Sequence, residues 1–310
     1  MSIVVMGAAF MDIKGFPNDL YLPTGRNAGH IEYVHGGVAR NVVEDIANVE
    51  LRPIYIGLVE DDAMGQDIVR KLKNHKVNTD YVRVAPDSLG IWLVVFDNNG
   101  DVAGSISKRE NSYPMLDILE EDGDEIFAQA ESVVIQVDLH KDIVKKTIEL
   151  AEKHNVKLFA LVSNMSIAAE RRDFLTKFDC FICNKNEAGL LFLDDYKDKS
   201  AEEMVEIISD RVMAAKIPSV VVTMGGDGAV YADCNGDKGL CPARNVQVKD
   251  TTGAGDAFCA GVSIGLTYGK TLKESVEIGT ILAASVITSS ENVCPRFQPK
   301  ELGLDIVVEE

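Results

Sequence analysis

Asp250-Thr-Thr-Gly-Ala-Gly-Asp256-Ala-Phe258, continuing as Cys-Ala-Gly-Val-Ser-Ile-Gly-Leu266, sets two glycines and then an acid at the start of an apolar helical run. Glycine tolerates backbone angles closed to other residues, so Gly253 and Gly255 let successive N–H groups turn into one concavity at the helix start. Such a concavity, with the helix macrodipole behind it, stabilises an anionic oxygen. Asp256 falls in the first turn, beside the same anion position. Amides that hold a charged group next to a proton-accepting carboxylate suit phosphoryl transfer to a hydroxyl. A glycine-rich turn whose aspartate merely caps the helix explains half the pattern without chemistry. The stretch lacks the Lys-Ser/Thr of a Walker A loop and is not the glycine-rich loop of protein kinases.

Upstream, short apolar runs alternate with amphipathic ones. Ile3 to Ala9, Ile54 to Val59, Ser132 to Val137, Lys157 to Val162, Cys180 to Cys183 and Ser219 to Met224 read as strands. Most are apolar on both faces, as strands of a covered parallel sheet are. Asp142 to His154 and Ala201 to Ala215 carry helical spacing between them, and Ala254 to Leu266 and Leu272 to Thr288 read as two closing apolar helices. This alternation predicts an α/β fold, a doubly wound and mostly parallel sheet flanked by helices.

Two segments break the rhythm. Residues 12–35 are rich in Gly, Pro and Asn. Residues 89–110 contain Ile91 to Phe96, a turn at Asn98-Asn-Gly100 and Val102 to Ile106, which read as a hairpin. Together they form a small β-sheet beside the main body, a candidate lid over a ligand or a surface for pairing into a homodimer. No repeat or linker interrupts the chain, so residues 1–310 read as a single domain.

The 310 residues carry 31 Lys plus Arg against 49 Asp plus Glu, a formal charge of −18. That surplus repels nucleic-acid backbones and anionic lipid, so neither is an expected partner. The longest weakly polar stretch, Ile278 to Thr288, is too short to span a bilayer. The start has no basic region before its apolar run, and six cysteines without a secretion signal favour reduced thiols, so a cytoplasmic location is expected. Cys180-Phe-Ile-Cys183 has the spacing of half a zinc site, but no second suitable pair accompanies it. Buried strand cysteines are the reading adopted.

A second motif lies near the other end. Gly36-Gly37-Val-Ala-Arg40-Asn41 opens a helix whose Val38, Val42, Ile46 and Val49 share an apolar face. The glycines let a ligand approach the backbone, Asn41 offers both donor and acceptor to vicinal hydroxyls, and Asp12 offers a carboxylate. Singly, each also fits an ordinary helix-start turn or loop acid.

In this order and at this separation, the two motifs resemble those of the ribokinase-like, or PfkB, family of sugar and nucleoside kinases, over essentially the whole chain. Asn184-Lys-Asn-Glu187 is similar to that family's Asn-x-x-Glu, and Thr223-Met-Gly225-Gly-Asp-Gly228 to its Thr-x-Gly stretch. The resemblance implies ATP as co-substrate and a ribokinase-like fold with a lid that excludes water. It implies a catalytic centre in which Asp256 is the general base and Gly253, Ala254 and Gly255 supply the anion hole, completed by the Asp256 amide. It further implies substrate binding by Asp12, Gly36, Gly37 and Asn41, and nucleotide binding by Asn184, Thr223, Gly225 and Gly228. Asn184 and Glu187 would act on Mg²⁺ through water, and Asp250 and Thr252 resemble the start of a monovalent-cation site, usually occupied by K⁺.

For the acceptor, Gly-Gly-Val-x-Arg-Asn is similar to the pseudouridine kinase branch rather than to the Gly-Gly-Lys-Gly of ribokinases. Arg26-Asn27-Ala-Gly29-His-Ile31 also resembles that branch, which adds Asn27 to the substrate side. Ser107-Lys108-Arg109-Glu110-Asn111 and Val162-Ser163-Asn164 depart from it; Lys108 and Arg109 read as a solvated turn or as contacts to an anionic acceptor. Pseudouridine is the leading expected acceptor, with a free-sugar kinase of ribokinase or fructokinase type as the alternative. A non-catalytic sugar or nucleotide binder would have no use for Asp256, and a dehydrogenase would need a Gly-x-Gly-x-x-Gly that Gly7 to Asp12 does not provide.

Overall fold

Strands apolar on both faces need cover on both sides, and the chain supplies it. In the computed structural model, which describes residues 2–305 with the exception of the Arg171 side chain, the strands are β1 (Ser2–Met6), β2 (Phe10–Pro17), β3 (Gly29–Gly36), β4 (Ile54–Val59), β5 (Val82–Val84), β6 (Gly90–Phe96), β7 (Val102–Lys108), β8 (Ala130–Gln136), β9 (Lys157–Leu161), β10 (Cys180–Asn184), β11 (Ser219–Thr223), β12 (Ala229–Asp233) and β13 (Lys238–Cys241). The helices are α1 (Val38–Asn48), α2 (Ala63–Asn74), α3 (Met115–Glu121), α4 (Gly123–Ala128), α5 (Lys141–His154), α6 (Met165–Ala168), α7 (Lys185–Phe192), α8 (Ala201–Ala215), α9 (Ala254–Thr267) and α10 (Leu272–Ile287).

Nine strands form one sheet in the order β13-β12-β11-β10-β9-β8-β1-β4-β5, parallel except at the β12 and β13 edge. Side chains alternate across it. Val4 and Met6 of β1 join one hydrophobic cluster with α3 to α8, whereas Ile3 and Val5 join the other with α1, α2, α9 and α10. Cys183 falls in the first cluster and Cys180 in the second, so the two thiols face opposite sides of the sheet and cannot share one ion. No helix among the described residues is long and apolar enough to cross a membrane.

The apolar run predicts a strand to Ala9, but β1 ends at Met6. A Cβ on Gly7 would come within 2.5 Å of the Ala39 Cβ and 2.7 Å of Gln136 Oε1, so the chain leaves the sheet at that glycine. The β12–β13 hairpin was not read from sequence, although Asp233-Cys-Asn-Gly-Asp237 repeats the pattern of Asp97-Asn-Asn-Gly-Asp101. In both turns the first aspartate's Oδ1 accepts the N–H of the third and fifth residues, at 2.8 to 3.0 Å, and the glycine takes a positive φ.

Strand order reverses at β1, which has β8 on one side and β4 on the other. In such sheets the ligand site lies beyond the carboxyl ends of the strands at that reversal. Over those ends stands the second sheet, β3-β2-β6-β7, built from the two segments that broke the strand–helix rhythm. Its register puts Val34, Asp12, Trp92 and Ser107 in one row, and Tyr33, Ile13, Leu93 and Ile106 in the next row on the opposite face. In the second row Tyr33 is 62%, Leu93 41% and Ile106 70% exposed, while Ile13 packs against the core.

Helices α9 and α10 are pressed together along glycine. A Cβ on Gly261 would lie 2.6 Å from the Gly279 Cα, and one on Gly265 would lie 2.6 Å from Ser275 Oγ. Any side chain at 261 must push the helices apart, and α9 is the helix whose start carries the glycine-rich motif.

Candidate active site

Gly253 is the residue before α9 and adopts φ 80°. A Cβ there would stand 2.0 Å from the carbonyl oxygen of Asn292, so only glycine fits both the angle and the space. The next glycine, Gly255, has nothing within 4 Å of the position a Cβ would occupy, which leaves the backbone open to a ligand. The N–H groups of Gly255 and Asp256 have no hydrogen-bond acceptor among the described residues, as expected of a helix's first turn. That of Ala254 is partly engaged by the Thr251 carbonyl at 3.3 Å. The start of α9 thus offers two amides without an acceptor among the described residues and a third already shared.

Asp256 does not cap its own helix. Its carboxylate is half-buried, and its Oδ2 accepts a hydrogen bond from Asn41 Nδ2 at 2.6 Å, from a residue 215 positions away. Burial pushes the Asp256 carboxyl up to about 6, while the Asn41 hydrogen bond and the nearby Arg40 charge pull the other way. A carboxylate in that range is still mostly ionised at neutral pH, yet basic enough to receive a proton from an attacking hydroxyl.

Helix α1 delivers Asn41 and Arg40. Gly37, at φ 95°, packs on the backbone of Ala8 to Phe10, and a Cβ on Gly36 would lie 2.9 Å from Asp12 Oδ1. The paired glycines thus let the Asp12 carboxylate lie directly over the backbone that leads to Asn41. Burial raises the Asp12 carboxyl, and the charges of Lys14 and Arg40 oppose that rise. Arg40 itself is fully buried, donating to Glu44 and to the carbonyls of His35 and Gly36, so it braces the helix start instead of facing a ligand. Glu44 is pushed up by burial but held below the usual range by Arg40 and Lys71.

Beside the anion position runs a cleft of about 600 Å³ lined by Thr223, Gly225, Gly228, Gly255, Phe258 and Ala284, among others. It joins the late glycine-rich motif to the Thr223–Gly228 turn, where Gly225 and Gly228 have φ of 61° and 100°. Its apolar floor, including Val246, Ala283 and Ile287, was not found from sequence, since these residues belong to no motif. Asn184 sits next to Thr223 across β10 and β11. Asn184 and Glu187 form a reciprocal capping box on α7: Asn184 Oδ1 accepts the Glu187 N–H at 2.9 Å, and Glu187 Oε2 accepts the Asn184 N–H at 2.7 Å. Helix capping alone thus explains the spacing, while Glu187 Oε1 and Asn184 Nδ2 have no hydrogen-bond partner among the described residues. Burial and the Asp138 charge raise the Glu187 carboxyl against the pull of the Asn184 amide, and Glu110 is likewise raised by burial and by Asp138.

Asp250 Oδ1 accepts the Thr252 N–H at 2.8 Å, which holds its carboxyl below the usual range. Lys14, two positions after Asp12 on the same face of the lid, also acts on Asp250. It was missed in the sequence, although strand alternation from Asp12 points to it. Asn27 Oδ1 accepts the Leu22 N–H and its Nδ2 donates to the carbonyls of Leu22 and Gly25, so the side chain clasps its own exposed loop. Lys108 is paired with Glu60 at 2.6 Å and Asp87 at 3.5 Å, and Arg109 is exposed.

Compared with known proteins, residues 1–295 match the family described as pfkB family carbohydrate kinase. The chain is 32% identical over 293 residues to guanosine-inosine kinase of Exiguobacterium acetylicum, covering 94% of this chain and 95% of that one. It is 25% identical over 276 residues to pseudouridine kinase of Escherichia coli strain K12, covering 88% and 86%. Among solved structures it superposes on Arabidopsis thaliana ribokinase complexed with ribose and ATP with a TM-score of 0.82, at 20% identity and with 98% and 99% of the two chains covered.

Asp256→Asn keeps the size of the side chain and removes its ability to take a proton. Steady-state assays should show kcat lowered by roughly 10²–10⁴, with nucleotide affinity little changed. Undiminished turnover would remove Asp256 from the chemistry.

Proposed function

The chain belongs to the pfkB family of carbohydrate kinases, and from that premise we propose that it phosphorylates the 5′-hydroxyl of a ribonucleoside. Transfer of a phosphoryl group to a hydroxyl of a sugar or nucleoside, with ATP as co-substrate, is the activity of this family. The choice of acceptor is our reading.

The observation that carries it is the pairing of Asp12 with Trp92 across β2 and β6. The register sets a carboxylate and a half-buried indole side by side on the face of the lid opposite its exposed apolar row. A carboxylate suits vicinal ribose hydroxyls; a flat aromatic face beside it suits a base rather than a second sugar substituent. With a base against Trp92 and the ribose at Asp12, the 5′-hydroxyl would extend toward Asp256. The 32% identity to a guanosine-inosine kinase favours a purine nucleoside over the pseudouridine that the Gly-Gly-Val-x-Arg-Asn motif suggests.

In this reading Asp256 removes the proton of the attacking hydroxyl as the bond to phosphorus forms. The Gly255 and Asp256 amides, at the positive end of α9, take up charge on the transferring group. Lys14 adds a positive charge from the lid side, and the lid keeps water out of the site. Mg²⁺, when bound with the nucleotide, would neutralise charge on its phosphates. Glu187, whose Oε1 lies open and whose carboxyl is crowded by the Asp138 charge, fits the task of holding it through water, with Asp138 beside it.

Two measurements test these assignments. Trp92 is the chain's one tryptophan, so its fluorescence reports on the lid directly. Guanosine, inosine or pseudouridine should quench it at concentrations near their KM, while ribose and fructose should not. Trp92→Ala should weaken nucleoside binding by about 1–3 kcal/mol. A free sugar or sugar phosphate that outdoes every nucleoside in kcat/KM would overturn the nucleoside reading and leave the family activity intact. For the ion, Glu187→Gln keeps the oxygen that caps α7 and loses the charge. It should raise the Mg²⁺ concentration needed for half-maximal rate while the acceptor KM stays put; an unchanged Mg²⁺ titration would remove Glu187 from that role.

A further inference from the structure

Asn292, in the segment after α10, is 7% exposed and touches three separate parts of the site. Its Nδ2 donates to the His35 carbonyl at 2.7 Å and lies 3.4 Å from Asn41 Oδ1, so both of its amide hydrogens have a place. His35 is the penultimate residue of β3, where the lid joins α1, and the same carbonyl also accepts from Arg40. The backbone carbonyl of Asn292 forms the wall against which Gly253 packs.

A primary amide has a donor end and an acceptor end of nearly the same shape. Asn41 stabilises an ionised Asp256 only when its NH₂ end faces the carboxylate. Turned by half a rotation, it would set its oxygen against an anion. The Asp256 carboxylate favours the productive orientation, but that carboxylate is the group that changes charge as it takes the substrate's proton. A second, permanent restraint is needed on the other end of the amide, and Asn292 is the donor that reaches it.

We propose that Asn292 is a positioning residue, which by donating to Asn41 Oδ1 while anchored on the His35 carbonyl holds the Asn41 amide toward Asp256 and ties that orientation to the base of the lid. The proposal rests on the reading of Asp256 as the general base. Other charged and titratable groups around Asp256 sit on the two helices that frame it: Arg40 and the buried Asp45 on α1, and Cys259 one turn further along α9. None of them contacts the Oδ1 end of Asn41 among the described residues.

Asn292→Ala removes both N–H donors and leaves in place the backbone carbonyl under Gly253. In the folded variant kcat should fall roughly 10-fold or more, with KM for ATP unchanged. The acid limb of the kcat–pH profile should move upward. The sign follows because the Asn41 N–H favours the ionised form of Asp256, so losing it raises the pKa, and the base is lost at a higher pH. Asn41→Ala should move the limb the same way, and the double variant should move it no further than Asn41→Ala alone. Asn292→Ser, smaller and still polar, is read by the same criteria if the alanine variant does not fold. Wild-type kcat and an unmoved limb overturn the proposal. So does a lowered kcat with an unmoved limb, which assigns Asn292 to loop stability alone. Asp256→Asn separates the two ideas: full activity there sinks the base itself, whereas an inactive Asp256→Asn beside an unaffected Asn292→Ala sinks only the role of Asn292.

Discussion

The hydrogen bond from Asn41 to Asp256 joins two helix starts that lie 215 positions apart, and much of the architecture serves to bring them together. Each helix begins at a glycine with positive φ, Gly37 for α1 and Gly253 for α9, and each glycine is pressed against another segment's backbone. Gly37 rests on the turn after β1 and Gly253 on the carbonyl of Asn292. Side chains at either place would lift a helix off its support. The Gly261–Gly279 contact then fixes α9 against α10, so the position of the free amides is set by helix packing from behind as well as by the loop in front.

The electrostatics of the site are a balance between burial and a few near charges. The chain carries a formal charge of −18, and Asp12, Asp256, Glu187 and Glu110 are all pushed up by desolvation. Opposing it at Asp12 are Lys14 and Arg40, and at Asp256 the Asn41 hydrogen bond and Arg40. Arg40 acts on both Asp12 and Asp256 while its own hydrogen bonds are satisfied by Glu44 and two carbonyls. Burying a guanidinium carries a desolvation cost that these partners offset, and its charge favours the ionised form of both carboxylates without a hydrogen bond to either.

Much of this was legible in the residues. Runs such as Val133 to Ile135 and Cys180 to Cys183 put apolar side chains on both faces of their strands, and a sheet covered on both sides accepts such strands. The glycine-rich motif marks a helix start with open amides because positive φ and absent side chains are properties of glycine itself. Other features depended on contacts that spacing does not encode. Asn184-x-x-Glu187 is at once a capping box and a candidate ion site, and sequence alone cannot divide the two roles. That the Asn27 amide closes its own loop is likewise not encoded in spacing. Lys14 was hidden because residues 12–35, with their Gly, Pro and Asn, hid the alternation of β2. Asn292 lay in no motif; its importance appears only when the chain's last segment folds against the start of α1.

The account turns on whether Asp256 is poised by its surroundings, and this can be measured on the free protein. Carbon-13 labelling of aspartate carboxyls, with the Asp256 signal assigned by its loss in an Asp256→Asn sample, gives the titration of that one group by NMR. The structure predicts a midpoint near 6, lifted by burial in spite of the Asn41 hydrogen bond. A midpoint at the ordinary value of 3.8 would show a solvated, unperturbed carboxylate and contradict the account.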